Sequence, residues 1–196
     1  MKLFGKKKRL QRAKSNFAFN KPLDSSDGLI NGQSVTPNVS KMKYGKYTVS
    51  FNGCGVIAVY NALMLYGFST SLAQLIFEFE NSGFVSLRGF FGTRPRAVGK
   101  FLSRLGVRFR TTLFKRTTEK AAKDGDILIL TFWNHRFNPF KGLHTVAVKC
   151  DKGKYIVYNM YSNRHAVYRY DSLSQLLGKG KLMLSYKLEG LMPEKQ

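Results

Sequence analysis

The stretch NGCGVIAVYNAL, residues 52–63, places Cys54 between two glycines at the start of a long apolar run. The run ends at Gly67, and its nearly uniform apolar character predicts a buried helix that begins at Cys54. Free backbone N–H groups and the positive dipole at a helix start stabilise a thiolate. Gly53 and Gly55 would leave room for a substrate backbone beside the sulfur. A free cysteine beside a buried helix is also a common packing residue, so Cys54 alone does not indicate catalysis.

Among the three histidines, His144 is best placed to activate a thiol. It opens the apolar, strand-like segment HTVAVKC, whereas His135 and His165 lie in loop-like stretches where we expect surface residues. A histidine in this position can equally be a core residue bonded to a backbone carbonyl. Its value as a general base therefore depends on what lies beside it.

A predicted hairpin turn at residues 151–154 supplies that neighbour. If residues 151 and 154 pair, His144 faces Tyr161 and Asn159 faces Val146. His144 and Asn159 then project from the same face of the sheet as diagonal neighbours, and a slip of one residue would separate them. Asn159 is predicted to orient the imidazole, although it could instead be a satisfied buried amide or a strand bulge. Nucleophile, base and orienter thus occur in the order Cys, His, Asn, which is the logic of activated-thiol catalysis.

Three stretches resemble the papain-like cysteine peptidase superfamily, and more narrowly the bacteriocin-processing peptidases that cut after double-glycine leaders, with their stand-alone relatives. They are NGCGVIAVYNALMLYG, GTRPRAVGKFLSRLGVRFR and GLHTVAVKCDKGKYIVYNMYS, and with the intervening segments they span roughly residues 47–160. The resemblance implies that Cys54 is the nucleophile, His144 the general base and then acid, and Asn159 the orienter.

The chain departs from this family at two positions. The superfamily commonly has an oxyanion-hole glutamine six residues before the cysteine, where this chain has Thr48. The nearest amide is Asn52, which becomes the oxyanion candidate, and Ser50 is a weaker one. The processing peptidases also tend to have aspartate where Asn159 stands. Loss of one oxyanion donor typically slows turnover about 100- to 1000-fold, while the backbone N–H of Cys54 would still donate.

Helical patterns precede short segments rich in β-branched and aromatic residues, which predicts an α+β domain. Residues 1–46 are predicted to be a basic, largely irregular N-terminal arm, and residues 47–196 a papain-like catalytic domain. The nucleophile helix is expected to pack on a C-terminal antiparallel sheet. We find no metal-ligand spacing among the two cysteines and three histidines, so neither a metal nor a cofactor is expected.

The charge is strongly basic, with 33 Lys and Arg against 11 Asp and Glu, a net charge of +22. Residues 1–22 contain no acid, and a second acid-free run separates Glu80 from Glu119. Such fields attract polyanions without specificity, so weak non-specific polyanion binding is expected. No apolar run is long enough to span a membrane, and no secretory signal is recognised. A reduced, cytoplasmic setting is the simplest interpretation, with non-standard export left open.

The leading hypothesis is a cysteine peptidase that cleaves a peptide or small protein, with small residues favoured at the cleaved position. Acyl transfer would use the same groups. A second hypothesis is a catalytically degenerate papain-like protein that binds a partner, and a third is a basic nucleic-acid-binding module. The third finds no nucleic-acid motif in the sequence, and it would require selective binding that is lost when the run Arg88–Arg116 is neutralised.

Overall fold

The computed structural model describes residues 2–24, 28–138 and 141–191. Its α-helices are α1 (Lys2–Asn20), α2 (Pro37–Lys41), α3 (Val49–Asn52), α4 (Cys54–Leu65), α5 (Leu72–Asn81), α6 (Pro95–Arg104), α7 (Lys115–Ala121) and α8 (Leu173–Leu177). Its strands are β1 (Lys43–Tyr44), β2 (Tyr47–Thr48), β3 (Val107–Thr112), β4 (Ile127–Trp133), β5 (Leu143–Asp151), β6 (Lys154–Tyr158), β7 (Tyr168–Tyr170) and β8 (Lys181–Leu191). Short 3-10 helices cover Lys21–Leu23 and Leu87–Gly89.

Six strands form one antiparallel sheet in the order β3-β8-β4-β5-β6-β7, and β1 and β2 form a separate hairpin. The central strand β4 has the sequence ILILTFW and is buried over six of its seven residues. Such a continuous apolar run fits a strand that is covered on both faces. The helices and this sheet confirm the predicted α+β class.

Helix α4 lies against β5 and forms the centre of the larger hydrophobic core. It is buried from Gly55 to Leu63, as expected for a helix that is apolar on every side. The helix begins at Cys54 as predicted, and Gly67 follows it with a φ of +91°, a conformation that glycine adopts freely.

Helix α1 differs from the predicted irregular arm, because it is a 19-residue helix packed against α5. Its inward face is largely polar: the Asn16 amide donates to the carbonyl of Gly45 (2.9 Å) and to Oε1 of Glu80 (2.7 Å). Asn20 makes two hydrogen bonds to the backbone of Lys43. Buried amides and the contact of Phe17 with Phe77 hold the helix instead of a continuous apolar stripe, so the sequence pattern did not predict it. No helix in the described part of the chain is long and apolar enough to cross a membrane.

The carboxyl group of Glu80 is enclosed between α1, α5 and the β1–β2 hairpin. Burial raises its pKa to about 7, although the Gly45 N–H, the Asn16 amide and the charge of Arg12 act in the opposite direction. Its Oε2 atom has no hydrogen-bond partner among the described residues. The N-terminal helix is therefore docked over a carboxyl group that titrates near neutral pH.

We expect the free energy of unfolding to fall as the pH rises from 5 to 8. A folded-state pKa above the unfolded value means that the folded chain holds the proton more tightly, so the stabilisation is present below the unfolded pKa and lost as the pH passes about 7. The loss attributable to this group is up to about 3 kcal/mol. Urea unfolding at several pH values measures it, and Glu80→Gln should flatten the dependence. Glu78→Gln on the same helix is the control, and equal slopes for the wild type and Glu80→Gln would contradict the assignment.

Candidate active site

Cys54 stands where the helical turn α3 passes through Gly53 into α4. The Gly53 N–H donates to the carbonyl of Val49 (2.8 Å), and the Gly53 carbonyl accepts from Ile57 (3.0 Å). As the first residue of α4, Cys54 has a backbone N–H without an intrahelical acceptor. The chain thus presents the thiol at the positive end of a buried helix.

The two flanking glycines are required by internal packing rather than by an approaching substrate. A Cβ atom on Gly53 would lie 2.4 Å from a methyl carbon of Val49. One on Gly55 would lie 2.5 Å from the Cβ atom of Thr93. Tight packing around the turn thus requires glycine at both positions, and their predicted role of leaving room for a substrate backbone stays a prediction.

The Cys54 thiol and the His144 imidazole line the same cavity and lie close enough to change each other's pKa. Burial would raise the pKa of Cys54, but the hydrogen bond and charge of His144, with the N–H groups of Thr145 and Gly55, lower it overall. Burial would lower the pKa of His144, but Cys54 and the backbone carbonyls of Asn159 and Met160 raise it overall. Both shifts favour the thiolate–imidazolium pair.

The orientation of His144 is set by a backbone group. Its Nε2 atom lies 2.8 Å from the main-chain oxygen of Asn159. A carbonyl oxygen only accepts, so Nε2 carries a proton and donates it, which leaves Nδ1 to face Cys54. The side chain of Asn159 is predicted to orient the imidazole, but its amide is hydrogen-bonded to Gly32 and Gln33 instead.

The reason lies at the end of the predicted hairpin. The register is as expected from the Asp151–Lys154 pair to the Ala147–Tyr158 pair. Strand β6 then ends, and Asn159 turns into the left-handed region with a φ of +59°. Asparagine tolerates this conformation better than most residues. The turn brings the carbonyl of Asn159, instead of its amide, to His144.

The Asn159 side chain binds a distant segment, residues 31–33, which we call the clasp. Its Oδ1 atom accepts from the backbone N–H groups of Gly32 and Gln33, both at 3.1 Å. Its Nδ2 atom donates to Oε1 of Gln33 at 2.9 Å, and its backbone N–H donates to Oδ1 of Asn31 at 2.8 Å. With the bond to His144, the polar groups of Asn159 are all engaged.

Gln33, the last residue of the clasp, connects it to the turn that precedes Cys54. Its Nε2 atom donates to the carbonyls of Val49 (3.0 Å) and Ser50 (3.1 Å), and the residue is only 3% exposed. The buried side-chain amides of Asn159 and Gln33 thus link the residue whose carbonyl orients His144 to the turn before Cys54. Sequence reasoning missed Gln33 and Asn31 because they fall in the region predicted to be irregular, where only the amide-rich stretch NGQ marks them.

A further amide anchors the chain next to the clasp to helix α4. Asn61, buried in the middle of α4, exchanges two hydrogen bonds of 2.8 Å with the backbone of Ile30. A polar residue inside an otherwise apolar helix is costly unless it is paired. Here the pairing fixes the chain immediately before Asn31 against α4.

The predicted oxyanion donor Asn52 points away from the site. Its Nδ2 atom donates to the carbonyls of Tyr44 (3.2 Å) and Gly89, and it is not among the residues that line the cavity at Cys54. Ser50 does line this cavity, whereas Thr48 is an exposed residue of β2. The contacts of Asn52 therefore do not support its predicted role as an oxyanion donor.

The cavity at Cys54 and His144 has a volume of about 600 Å³. Its walls are rich in aromatic rings, and among the described residues the lining contains one fully cationic residue, Lys179, and no acidic residue. The aromatic lining residues are Phe51, Phe132, Tyr161 and Tyr170. The cleft thus combines aromatic rings with many polar groups, which suits a peptide that offers both bulky side chains and hydrogen-bonding groups.

The second cysteine, Cys150, is buried in β5 and is a free thiol like Cys54. Burial and the charges of Asp126 and Asp124 raise the pKa of Cys150 to about 12. The two thiols are thus opposite in character, since only Cys54 combines access to a cavity with a lowered pKa.

Among the described residues, no group of three or more His, Cys, Asp or Glu side chains is arranged to hold a metal ion. Comparison of the chain with protein-family models and with curated proteins gave no significant match. The functional assignment therefore depends on the site itself.

Proposed function

We propose that this protein is a thiol hydrolase with a papain-like fold that cleaves peptide bonds through Cys54 and His144. The observation that carries the proposal is that Cys54, at the start of a buried helix, and His144 line one cavity, with their two pKa shifts in the directions that form an ion pair. The adjoining cavity supports it, because it is large enough for several residues of a peptide.

In this mechanism the Cys54 thiolate attacks the carbonyl carbon of the substrate, and a thioester bond forms as the peptide C–N bond breaks. The backbone N–H of Cys54 donates to the oxygen that becomes negatively charged. His144 gives its Nδ1 proton to the leaving amine. It then takes a proton from a water molecule that attacks the thioester, which releases the acid and restores the thiol. An amine in place of water would give acyl transfer by the same route.

A specific observation favours a second candidate, a papain-like protein that binds a peptide without cleaving it. The amides of Asn52 and Gln33 both donate to backbone carbonyls. A side-chain donor for the oxyanion is thus missing from the position where such enzymes usually have one. The expected consequence for an enzyme is slow turnover, and for a binding protein an unreactive thiol.

Alkylation of Cys54 by iodoacetamide separates the two candidates. For the hydrolase we expect Cys54 to react at pH 6 roughly tenfold to 100-fold faster than a free thiol, because a lowered pKa supplies thiolate where an ordinary cysteine has almost none. Intact-mass spectrometry should show one label per folded chain, since Cys150 is buried and has a raised pKa. Peptide cleavage should follow a bell-shaped pH profile, rising as Cys54 ionises and falling as His144 loses its proton.

Cys150→Ala is the matched control, and it should leave the labelling rate and stoichiometry unchanged. If Cys54 reacts at pH 6 no faster than a free thiol, the ion pair is absent and the hydrolase assignment fails. Peptide binding without cleavage, together with a Cys54 that reacts no faster than a free thiol, would instead support the binding protein.

A further inference from the structure

A second cavity, of about 670 Å³, opens beside the catalytic one. The two share the residues Leu177, Gly178 and Lys179, which follow one another at the end of α8. These shared residues form a common rim, so one extended chain can occupy both cavities. The second cavity is otherwise built from the segments before and at the start of α7, after β4, and at the start of β8.

Large apolar side chains line the second cavity while remaining open to solvent. Leu113, Phe114 and Phe137 are 55%, 70% and 80% exposed. Grouped, exposed apolar side chains of this size on a folded protein typically mark a binding surface. Aromatic side chains are also the usual anchors of protein–peptide contacts.

The charges of the second cavity all have one sign. In the part of the chain that the structure describes, no acidic residue lines it, and four cationic residues do: Lys115, Arg136, Lys179 and Lys181. None of these four takes part in an ion pair within the described residues. The Lys115 ammonium donates to the hydroxyl of Ser174 (2.6 Å), which leaves its charge unneutralised. The cavity is therefore complementary to carboxylates.

The wall between the two cavities is held in place by backbone contacts. The Arg136 N–H donates to the carbonyl of Lys179 (2.8 Å), and the Gly180 N–H donates to that of Leu177 (2.7 Å). Gly180 lies so close to Trp133 that a Cβ atom would be 2.4 Å from its carbonyl oxygen. A preformed wall lowers the entropic cost of binding.

We propose that the second cavity is a docking subsite for an acidic segment with bulky apolar side chains, located in the same peptide whose bond reaches Cys54. The peptide nature of the ligand rests on the proposed function. The subsite itself rests on the exposed apolar residues, the unpaired cations and the shared rim. Recognition of the substrate then depends on a segment away from the cleaved bond, as well as on the residues at Cys54.

The test uses the full chain with Cys54→Ala, so that binding is measured without cleavage. The probes are fluorescein-labelled peptides of equal length composed of Leu and Glu, of Gly and Glu, and of Leu and Lys. Fluorescence anisotropy at near-physiological salt should give a dissociation constant for the Leu/Glu peptide about tenfold lower than for the other two. Arg136→Glu with Lys181→Glu should weaken its binding about tenfold, and Phe114→Ser with Phe137→Ser by a similar factor.

The matched control is Lys41→Glu with Lys100→Glu, which makes the same change in net charge at exposed positions outside both cavities. If the control pair weakens binding as much as the cavity pair, or the Gly/Glu peptide binds as tightly as the Leu/Glu peptide, the surface attracts polyanions in general and the subsite is refuted. Thermal melting of each variant excludes loss of folding. Because Cys54 is absent, failure of the hydrolase assignment leaves this result unaffected.

Discussion

His144→Ala is expected to slow the alkylation of Cys54 at pH 6 about 100-fold and peptide cleavage about 1000-fold or more. Without the imidazolium, the burial that raises the pKa of Cys54 is opposed only by the N–H groups of Thr145 and Gly55. The thiol then stays protonated near neutral pH. The leaving amine also loses its proton donor. Intact-mass labelling measures the first effect, and mass spectrometry of a degenerate peptide mixture measures the second.

His165→Ala is the matched control, because His165 is exposed and does not line the catalytic cavity. Cys54→Ser provides the complementary variant: it keeps the size of the side chain but lacks the thiolate, so alkylation and cleavage should both disappear. A His144→Ala protein that is alkylated at pH 6 as fast as the wild type would show that the helix start alone activates Cys54. The role of His144 as base would then be wrong.

The sequence predicted those parts of the site that are fixed by local patterns. The run after Cys54 is apolar on every side, so the start of α4 and the position of the Cys54 thiol at that start could be predicted. The hairpin register could be predicted because residues 151–154 read as a two-residue turn. In the structure Lys152 and Gly153 both adopt positive φ, as such a turn between antiparallel strands requires. These two features place Cys54 and His144 on neighbouring elements, α4 and β5.

The sequence did not predict what supports the pair. Asn159 leaves the strand one residue after Tyr158, the last paired residue, so the ladder does not continue to the predicted Val146–Asn159 and His144–Tyr161 pairs. A single left-handed residue carries no pattern of its own. Its contacts to Gly32 and Gln33 join segments more than a hundred residues apart. Amide pairs of this kind have no periodicity, unlike the apolar faces of helices and strands. Helix α1 was missed for a similar reason, because its contacts through Asn16, Phe17 and Asn20 do not form a continuous apolar stripe.

Asn159 also provides the prediction that best distinguishes a side-chain role from a backbone role in orienting His144. If its side chain oriented His144, Asn159→Asp would preserve activity, since aspartate would offer an acceptor oxygen at the same place. In this structure Nδ2 of Asn159 donates to Oε1 of Gln33, and the amide of Gln33 is fixed by the carbonyls of Val49 and Ser50. A carboxylate would face that oxygen without a proton to share. We therefore expect Asn159→Asp to impair both folding and Cys54 reactivity.

Asn159→Ala and Asn159→Gly separate the side chain from the backbone. Both remove the side chain that binds the clasp and leave the backbone N–H groups of Gly32 and Gln33 without their acceptor. This loss should lower the free energy of unfolding by about 2–4 kcal/mol. Alanine adds about 1–2 kcal/mol of left-handed strain, which glycine avoids. We expect Asn159→Gly to keep its carbonyl on His144 and retain rapid alkylation at pH 6. Asn159→Ala should lose about tenfold, because its carbonyl shifts away from Nε2.

Urea unfolding and the pH profile of alkylation measure the two effects separately, and a purely structural role would change only the first. Gln33→Ala, alone and with Asn159→Gly, completes a double-mutant cycle in which the two changes should be far from additive, because the side chains bind each other. Additive effects would mean that the contact between the side chains of Asn159 and Gln33 does not contribute to stability. Equal loss of alkylation in Asn159→Gly and Asn159→Ala would place the orientation of His144 in the Asn159 side chain after all.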